Sequence, residues 1–448
     1  MKRVVLVGSL LLFIPTVGVF AQGAGVEKPV LDTGFTAWMI VATALVLMMT
    51  IPGLAFYYGG LVRRKNVLST MMHSLTITGI VSVQWVVIGY SLAFGTAQGP
   101  LAPFIGGFKW AFLNGIGPNT LSPYVDPQMP LHAVPEYVYI MFQCMFAIIT
   151  PALISGAFAE RMKFGGFVVF MILWSTLVYD PIAHWVWAAD GWLGHLGALD
   201  FAGGTVVHMN SGIAALVCAL MLGRRRYFND AATPPHNVPY VVLGAALLWV
   251  GWFGFNAGSG LGADGLAASA FLVTNTATAA ASLTWMVMDW IFNGKATTVG
   301  AATGAVAGLV AITPASGFVG VPGSLVIGIV VSVVCFLAVV FLKRKLKYDD
   351  ALDAFGVHGI GGAWGALGTG LFATGLIQPG INGLFYGNPK QMLLQFADIG
   401  AVLVWSLVVT AVIFKVVDRT IGLKVTAKEE DIGMDLSEHN EKAYTVIE

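Results

Sequence analysis

Charge is what this chain has least of. Of its 448 residues only 10% are Asp, Glu, Lys or Arg, against about 25% in ordinary soluble domains. That is too little polar coating for the two or three water-soluble domains that the length alone would suggest. The 23 basic and 23 acidic side chains cancel, so no net field draws a polyanion and a nucleic-acid partner is excluded. Cys144, Cys218 and Cys335 lie scattered in apolar stretches. Three such residues make neither a disulfide framework nor a zinc site, and they read as small buried hydrophobes. What the chain has in abundance is apolar surface, 57% hydrophobic residues, and 55 glycines. This is the composition of an all-α integral membrane protein.

The first 21 residues are set apart. Lys2 and Arg3 precede an apolar run from Val4 to Phe20, and Val19-Phe20-Ala21 has the look of a cleavage site. That is the layout of a secretory signal peptide, with a retained first membrane helix as the alternative. Beyond it, a transmembrane helix needs roughly 20 mostly apolar residues. Eleven stretches meet that expectation, near 35–61, 67–95, 136–159, 164–186, 203–223, 238–257, 265–292, 297–313, 320–342, 355–376 and 391–417. The one long connection, 96–135, is rich in Gly, Pro and Asn, carries the single basic residue Lys109, and reads as an extracytoplasmic loop.

Basic residues set the orientation, because Lys and Arg are retained on the cytoplasmic side. Arg63, Arg64 and Lys65 follow span 1; Arg161 and Lys163 follow span 3; Arg224, Arg225 and Arg226 follow span 5. Lys295 follows span 7, and Lys343, Arg344, Lys345 and Lys347 follow span 9. Lys415, Arg419, Lys424, Lys428 and Lys442 follow span 11, whereas the opposite side holds only Lys28, Lys109 and Lys390. The alternation predicts an N-terminus outside and a cytoplasmic tail, 421–448. Gly300, Gly304 and Gly308 repeat every four residues along span 8, a small-residue face for close helix packing.

Titratable groups at membrane depth are costly and mark interior pathways. Of eight histidines, His208 in span 5 and His358 in span 10 sit well inside. Eight residues carry the chain about 12 Å inward from Asp200 to His208, and eleven from Lys347 allow at most about 16 Å to His358. The two imidazoles approach the midplane from opposite faces. Spans 1–5 (about 35–223) and 6–10 (about 238–376), taken as two five-helix repeats, are inverted relative to one another because the count is odd. A last helix, 391–417, follows. His208 and His358 then hold equivalent places, each after a valine and before small residues (TVVHMNSG, FGVHGIGG). They are either two separately satisfied polar residues or a pair meeting at the pseudo-two-fold axis. Metal binding needs three or four ligands, and no Cys, Asp or Glu lies at like depth on these spans. Bis-histidine haem ligation and a pore lining for a small polar permeant both stay open.

The stretch from Asp200 to Arg225, DFAGGTVVHMNSGIAALVCALMLGRR, resembles the signature of the ammonium transporter (Amt/Mep/Rh) family, bacterial Amt type. So do IPGLAFYYGGLVRRKNVLS from Ile51, ERMKF from Glu160, GWFGFNAGS from Gly251 and DAFGVHG from Asp353. The resemblance covers about Gly34 to the tail. It implies a membrane domain over 34–420, eleven spans, a homotrimer in the plasma membrane with one narrow pore per subunit, and no cofactor or enzymatic activity.

By position, the resemblance gives Trp187 the outer-vestibule ring, whose face attracts a cation by on the order of 0.5–2 kcal/mol. It gives Ser259 the hydroxyl that accepts a hydrogen bond from bound ammonium. Phe142 and Phe146, four apart on one helix face, join that ammonium-binding site, and Phe146 and Phe255 become two stacked rings closing the entrance. Without the family, each of these rings reads as core or interfacial belt. Thr313 matches a further external polar position. Asp200 reads locally as a helix N-cap, and by resemblance as the acid that orders the vestibule. His208 and His358 become pore histidines past which ammonia, or methylamine, travels after ammonium or methylammonium loses its proton.

The tail segment DIGMDLSEHNEKAY, from Asp431, resembles the family's cytoplasmic terminus, where trimeric PII-type signal proteins block the pores. It departs at Asn440, where glycine is usual; Asp180 is another position at which members vary. The alternative for the tail is a solvated polar terminus. An ammonium sensor that signals through a PII-type partner, with little flux, is the second functional class.

Overall fold

A computed structural model describes residues 28–228 and 234–444. The expected signal peptide and residues 445–448 of the tail lie outside the described residues. Helices occupy every stretch expected from the apolar runs: α1 (Thr33–Leu61), α2 (Arg64–Phe94), α3 (Glu136–Phe158), α4 (Phe164–Leu196), α5 (Gly204–Leu222), α6 (Val238–Gly258), α7 (Gly265–Asn293), α8 (Thr298–Ile312), α9 (Val321–Leu346), α10 (Phe355–Gly359 running into Ile360–Phe372) and α11 (Lys390–Thr420). Among the described residues nine are long and apolar enough to cross a membrane; α8, of 15 residues, is shorter, and α10 is not among the nine.

Several helices are less regular than apolar runs suggest. α1 leaves helical geometry at Ile51 (φ −129°, ψ 112°), just before Pro52, a residue with no amide hydrogen and a ring that crowds the preceding turn. α4 is interrupted by extended backbone at Ala188. α10 stops at Phe372 rather than near 376: Ala373 is non-helical, and the next amide, Thr374, turns to the Phe318 carbonyl at 2.9 Å.

Glycine does the work expected of it. A Cβ on Gly304 would lie 2.5 Å from the Trp285 Cβ, and one on Gly308 would lie 2.6 Å from the Ala281 Cβ, so the α8 stripe sits directly on α7. The crossing of α5 and α10 is closer. Gly212 follows His208, and Gly362 follows His358, by four residues. A Cβ on Gly212 would reach the Gly359 amide at 2.0 Å, and one on Gly362 would reach the Gly204 carbonyl at 2.6 Å. Only hydrogen fits at either place. All three cysteines are free and buried.

The basic connections converge at one end of the bundle. Glu160, 3% exposed, accepts hydrogen bonds from the Arg63 amide and guanidinium, the Asn66 amide and Arg225. Arg225 also forks onto Asp349 at 2.8 Å. One buried carboxylate thus joins the α1–α2, α3–α4 and α5–α6 connections. The tail docks on the same surface as α12 (Ala427–Ile432) and α13 (Met434–His439). The Met434 amide donates to Asn66, the Ser69 amide to Asp435, and the Phe164 amide to Glu438. Asn440 ends α13 in the left-handed region (φ 55°), a conformation asparagine tolerates where glycine is the usual choice. At the opposite end, β1 (Val30–Leu31) pairs in parallel with β2 (His132–Ala133), tying the start of α1 to the long 96–135 connection.

Burial would raise the Glu160 pKa, but Arg225 and Arg63 outweigh it and hold the carboxyl below its ordinary value. Its contribution is therefore present above the ordinary glutamate range and is lost as pH falls through the lower folded value. Glu160→Ala, which leaves two arginines facing a buried void, is expected to cost about 3 kcal/mol at neutral pH. Thermal unfolding in detergent checks this; the gap from the parent protein should narrow in strong acid.

Candidate functional site

Both histidines lie in π-helical turns that open their helices, Gly204–Met209 and Phe355–Gly359. Each turn is organised by an aspartate just upstream. Asp200 accepts from the amides of Gly203, Gly204, Thr205 and Val206 and from the Thr205 hydroxyl, at 2.6–3.1 Å. Asp350 accepts from the Phe355 amide at 2.7 Å. The N-cap position itself is Gly203, not Asp200 as the sequence suggested; Asp200 stands three residues earlier, and its carboxylate takes up the donors that the helix start leaves over.

The crossing of α5 and α10 brings the two imidazoles together. Their centroids are 5.4 Å apart, with planes inclined by only 21°. His208 is fully buried and His358 is 4% exposed. Neither ring nitrogen of His208, nor Nδ1 of His358, has a hydrogen-bond partner among the described residues. Buried polar atoms are nearly always satisfied, so an unpartnered histidine pair at this depth is a strong functional marker.

Aromatic rings continue the column outward. Phe255 lies 5.9 Å from His208 and stacks on Phe146 at 4.1 Å and 21°. Trp187 meets Phe146 edge-on at 5.8 Å, and Phe142 meets it at 5.0 Å. The Trp187 indole is half-buried and anchored by donation to the Asp200 carbonyl at 2.9 Å. Ser259, also half-buried, donates its hydroxyl hydrogen to the Phe255 carbonyl at 2.9 Å. That bond uses its only donor and leaves its oxygen lone pairs as acceptors. Phe142 packs on Gly258, beside Ser259, where a Cβ would approach within 2.8 Å of the ring. Inward of the pair, His358 borders a cavity of about 60 Å³ with Tyr57, Thr303 and Asp353 among its walls.

Trp187, Phe146, Phe255, His208 and His358 therefore form one contact series, with Phe142 against Phe146 and Ser259 bonded to the Phe255 carbonyl. Thr313 sits elsewhere. It is fully buried, accepting from the Trp252 indole at 2.8 Å and donating to the Leu309 carbonyl at 2.7 Å. Its hydroxyl is engaged on both sides and braces Trp252. Trp252 is the residue that sequence reasoning missed: it stacks on His208 at 5.2 Å and 20° and walls the column. Its place three residues before Phe255, one helical turn away on the same face, was the available signal. Asp180 is buried away from this line and accepts from Gln84 at 2.7 Å.

The family model described as Ammonium Transporter Family matches residues 37–444. The ammonium transporter of Bacillus subtilis is 52% identical over 415 residues, covering 92% of this chain and 99% of that protein. The ammonium transporter of Aquifex aeolicus is 49% identical, covering 96% and 97%. Among solved structures, Saccharomyces cerevisiae Mep2 superposes with a TM-score of 0.81 at 38% identity, covering 89% of this chain and 88% of that one. A structure described as a sensor Amt protein gives 0.81 at 29% identity, covering 91% and 98%. With a family match over nearly the whole chain and relatives at half identity, this chain belongs to the ammonium transporter family.

Proposed function

We propose that this multi-pass membrane protein takes ammonium from outside the plasma membrane, strips its proton, and passes ammonia inward through the line from Trp187 to His358. Eleven helices cross the bilayer in two inverted halves plus α11, with the N-terminus outside and the tail inside, and three copies assemble. The observation that carries the reading is the uninterrupted contact series Trp187–Phe146–Phe255–His208–His358, ending at the cavity beside Asp353.

Each part has a physical role. A cation held by the Trp187 face and the Ser259 lone pairs is still partly solvated. Between the Phe146–Phe255 stack and the histidine pair no carboxylate joins the contact series among the described residues, and moving an intact cation there costs several kcal/mol even after relaxation. Ammonia has no such cost, and imidazole nitrogens without protein partners offer it hydrogen bonds. Potassium cannot become neutral, so it stays outside. Asp200 acts indirectly, by shaping the turn that places Trp187 and His208. Against bis-histidine haem ligation stands space: a cavity of about 60 Å³ is far below the roughly 300 Å³ or more of sites for larger ligands.

His358→Ala is expected to lower discrimination against potassium about tenfold or more in ammonium-evoked currents from proteoliposomes, since a wider, wettable conduit cuts the dehydration barrier. Unchanged selectivity would remove the pair from the mechanism. Trp187→Leu should weaken apparent ammonium affinity by about 2- to 30-fold, the equivalent of one cation–π contact; an unaltered half-saturation point would dismiss the vestibule site.

A docked tail also suits a PII-type regulator, and a structure described as a sensor Amt protein lies among the neighbours. Removal of residues 425–448 should abolish co-purification with a PII protein, and retention would dismiss the tail as its docking site. Radiolabelled methylammonium uptake into cells lacking their own transporters separates transport from a flux-free sensor: a transporter restores it and a sensor does not.

A further inference from the structure

Two carboxyls face each other at the outer end, next to the connection that carries Ser259. Asp126 belongs to the long 96–135 connection and is fully buried. Its Oδ1 accepts from the Gln128 amide at 2.7 Å, while Oδ2 is buried without a partner. Asp264 starts α7, accepting from the Ala267 amide at 2.9 Å, and its carboxyl lies within hydrogen-bonding reach of Asp126. Two carboxylates cannot hydrogen-bond one another, because neither has a donor; with one proton added they can. No Lys or Arg is paired with either acid among the described ion pairs.

The connection that carries Ser259 packs directly against Asp126. Ser259 and Asp264 are the two ends of a stretch only six residues long, with Leu261 in the left-handed region (φ 64°). A Cβ on Gly262 would lie 2.7 Å from Asp126 Oδ2 and 2.4 Å from the Phe35 ring. The connection is thus pressed between Asp126 and α1, and its other end is the Ser259 hydroxyl.

We propose that Asp126 and Asp264 are positioning residues for the Ser259 site: one proton shared by their carboxyls clasps the long outer connection to the α6–α7 connection and holds Ser259 in register. This rests on the reading of Ser259 as part of the ammonium site. Burial raises the Asp126 pKa, the Gln128 amide opposes that, and the Asp264 charge raises it further, from 3.8 to about 6. The sign follows. A raised folded pKa means the clasp is fully present below the ordinary aspartate value and is lost as pH rises through about 6. The groups facing the pair are few. Beyond Phe35 stands the Asp32–His132 pair at 2.7 Å, with His132 against the Phe35 ring at 5.6 Å. This is a second titratable contact against the same helix, so it needs its own control.

The experiment measures ammonium-evoked current in proteoliposomes as outside pH is stepped from about 5 to 8, a range in which ammonium stays almost wholly protonated. For the unaltered protein the half-saturating concentration should rise by about threefold or more, centred near pH 6, with maximal current little changed. Asp126→Asn supplies a permanent donor to Asp264 and should flatten the profile at the tight-binding level. His132→Gln should leave the midpoint in place. An Asp126→Asn profile parallel to that of the unaltered protein, or a profile abolished by His132→Gln alone, overturns the proposal. Hydrogen exchange of residues 259–264, compared between the unaltered protein and Asp126→Asn at matched pH, separates the two levels. If Ser259→Ala leaves half-saturation unchanged while exchange diverges above pH 6 only in the unaltered protein, the clasp stands and the ammonium-site reading of Ser259 fails. Exchange that never diverges overturns the clasp itself.

Discussion

On the proposed reading, a monovalent cation pushed past Phe146 and Phe255 would exchange its water for aromatic carbon and two imidazole rings, with no carboxylate among the described residues in the series between the stack and the histidine pair. That electrostatic cost governs the rest of the architecture. It would make the hydroxyl of Ser259 and the face of Trp187 useful where some solvent remains. Under the proposed mechanism the Phe146–Phe255 stack, 4.1 Å between centroids, is a barrier of chemistry rather than of diameter. Ammonium and potassium match closely in size and charge, so a filter of width alone would separate them poorly. A conduit that admits only what can discard its charge separates them by kind.

Holding two unsatisfied imidazoles in such a place requires a scaffold that does not collapse around them. The crossing of α5 and α10 supplies it. Gly212 and Gly362, one turn beyond each histidine, let the backbones come into direct contact. Asp200 and Asp350 absorb the loose amides of the two π-helical starts. Trp252, braced by Thr313, closes the side of the column against His208. At the far end, the Glu160 network and the docked tail tie the α1–α2, α3–α4 and α5–α6 connections together.

Much of this is legible in the amino-acid sequence. Runs of apolar residues locate the helices to within a few positions, because burial in a bilayer leaves little freedom in length. Depth marks His208 and His358 out but leaves open whether they meet, which the 5.4 Å approach of their rings shows; the α8 glycine stripe names its own packing face. Other features depend on contacts between distant segments and leave no local trace. The stacking of Trp252 on His208, the bracing by Thr313 and the Asp126–Asp264 contact each join residues whose individual surroundings look like ordinary core or loop. The stop at Phe372 reflects a tertiary hydrogen bond, from Thr374 to Phe318, which hydropathy does not register.

The central claim concerns which species crosses the region between the phenylalanine stack and the histidine pair. The most direct measurement is potassium flux through the unaltered, purified protein, read with an entrapped potassium-sensitive dye in the same proteoliposomes that give an ammonium-evoked current. The account requires potassium entry no faster than in protein-free liposomes. Potassium entry comparable to the ammonium flux would contradict it.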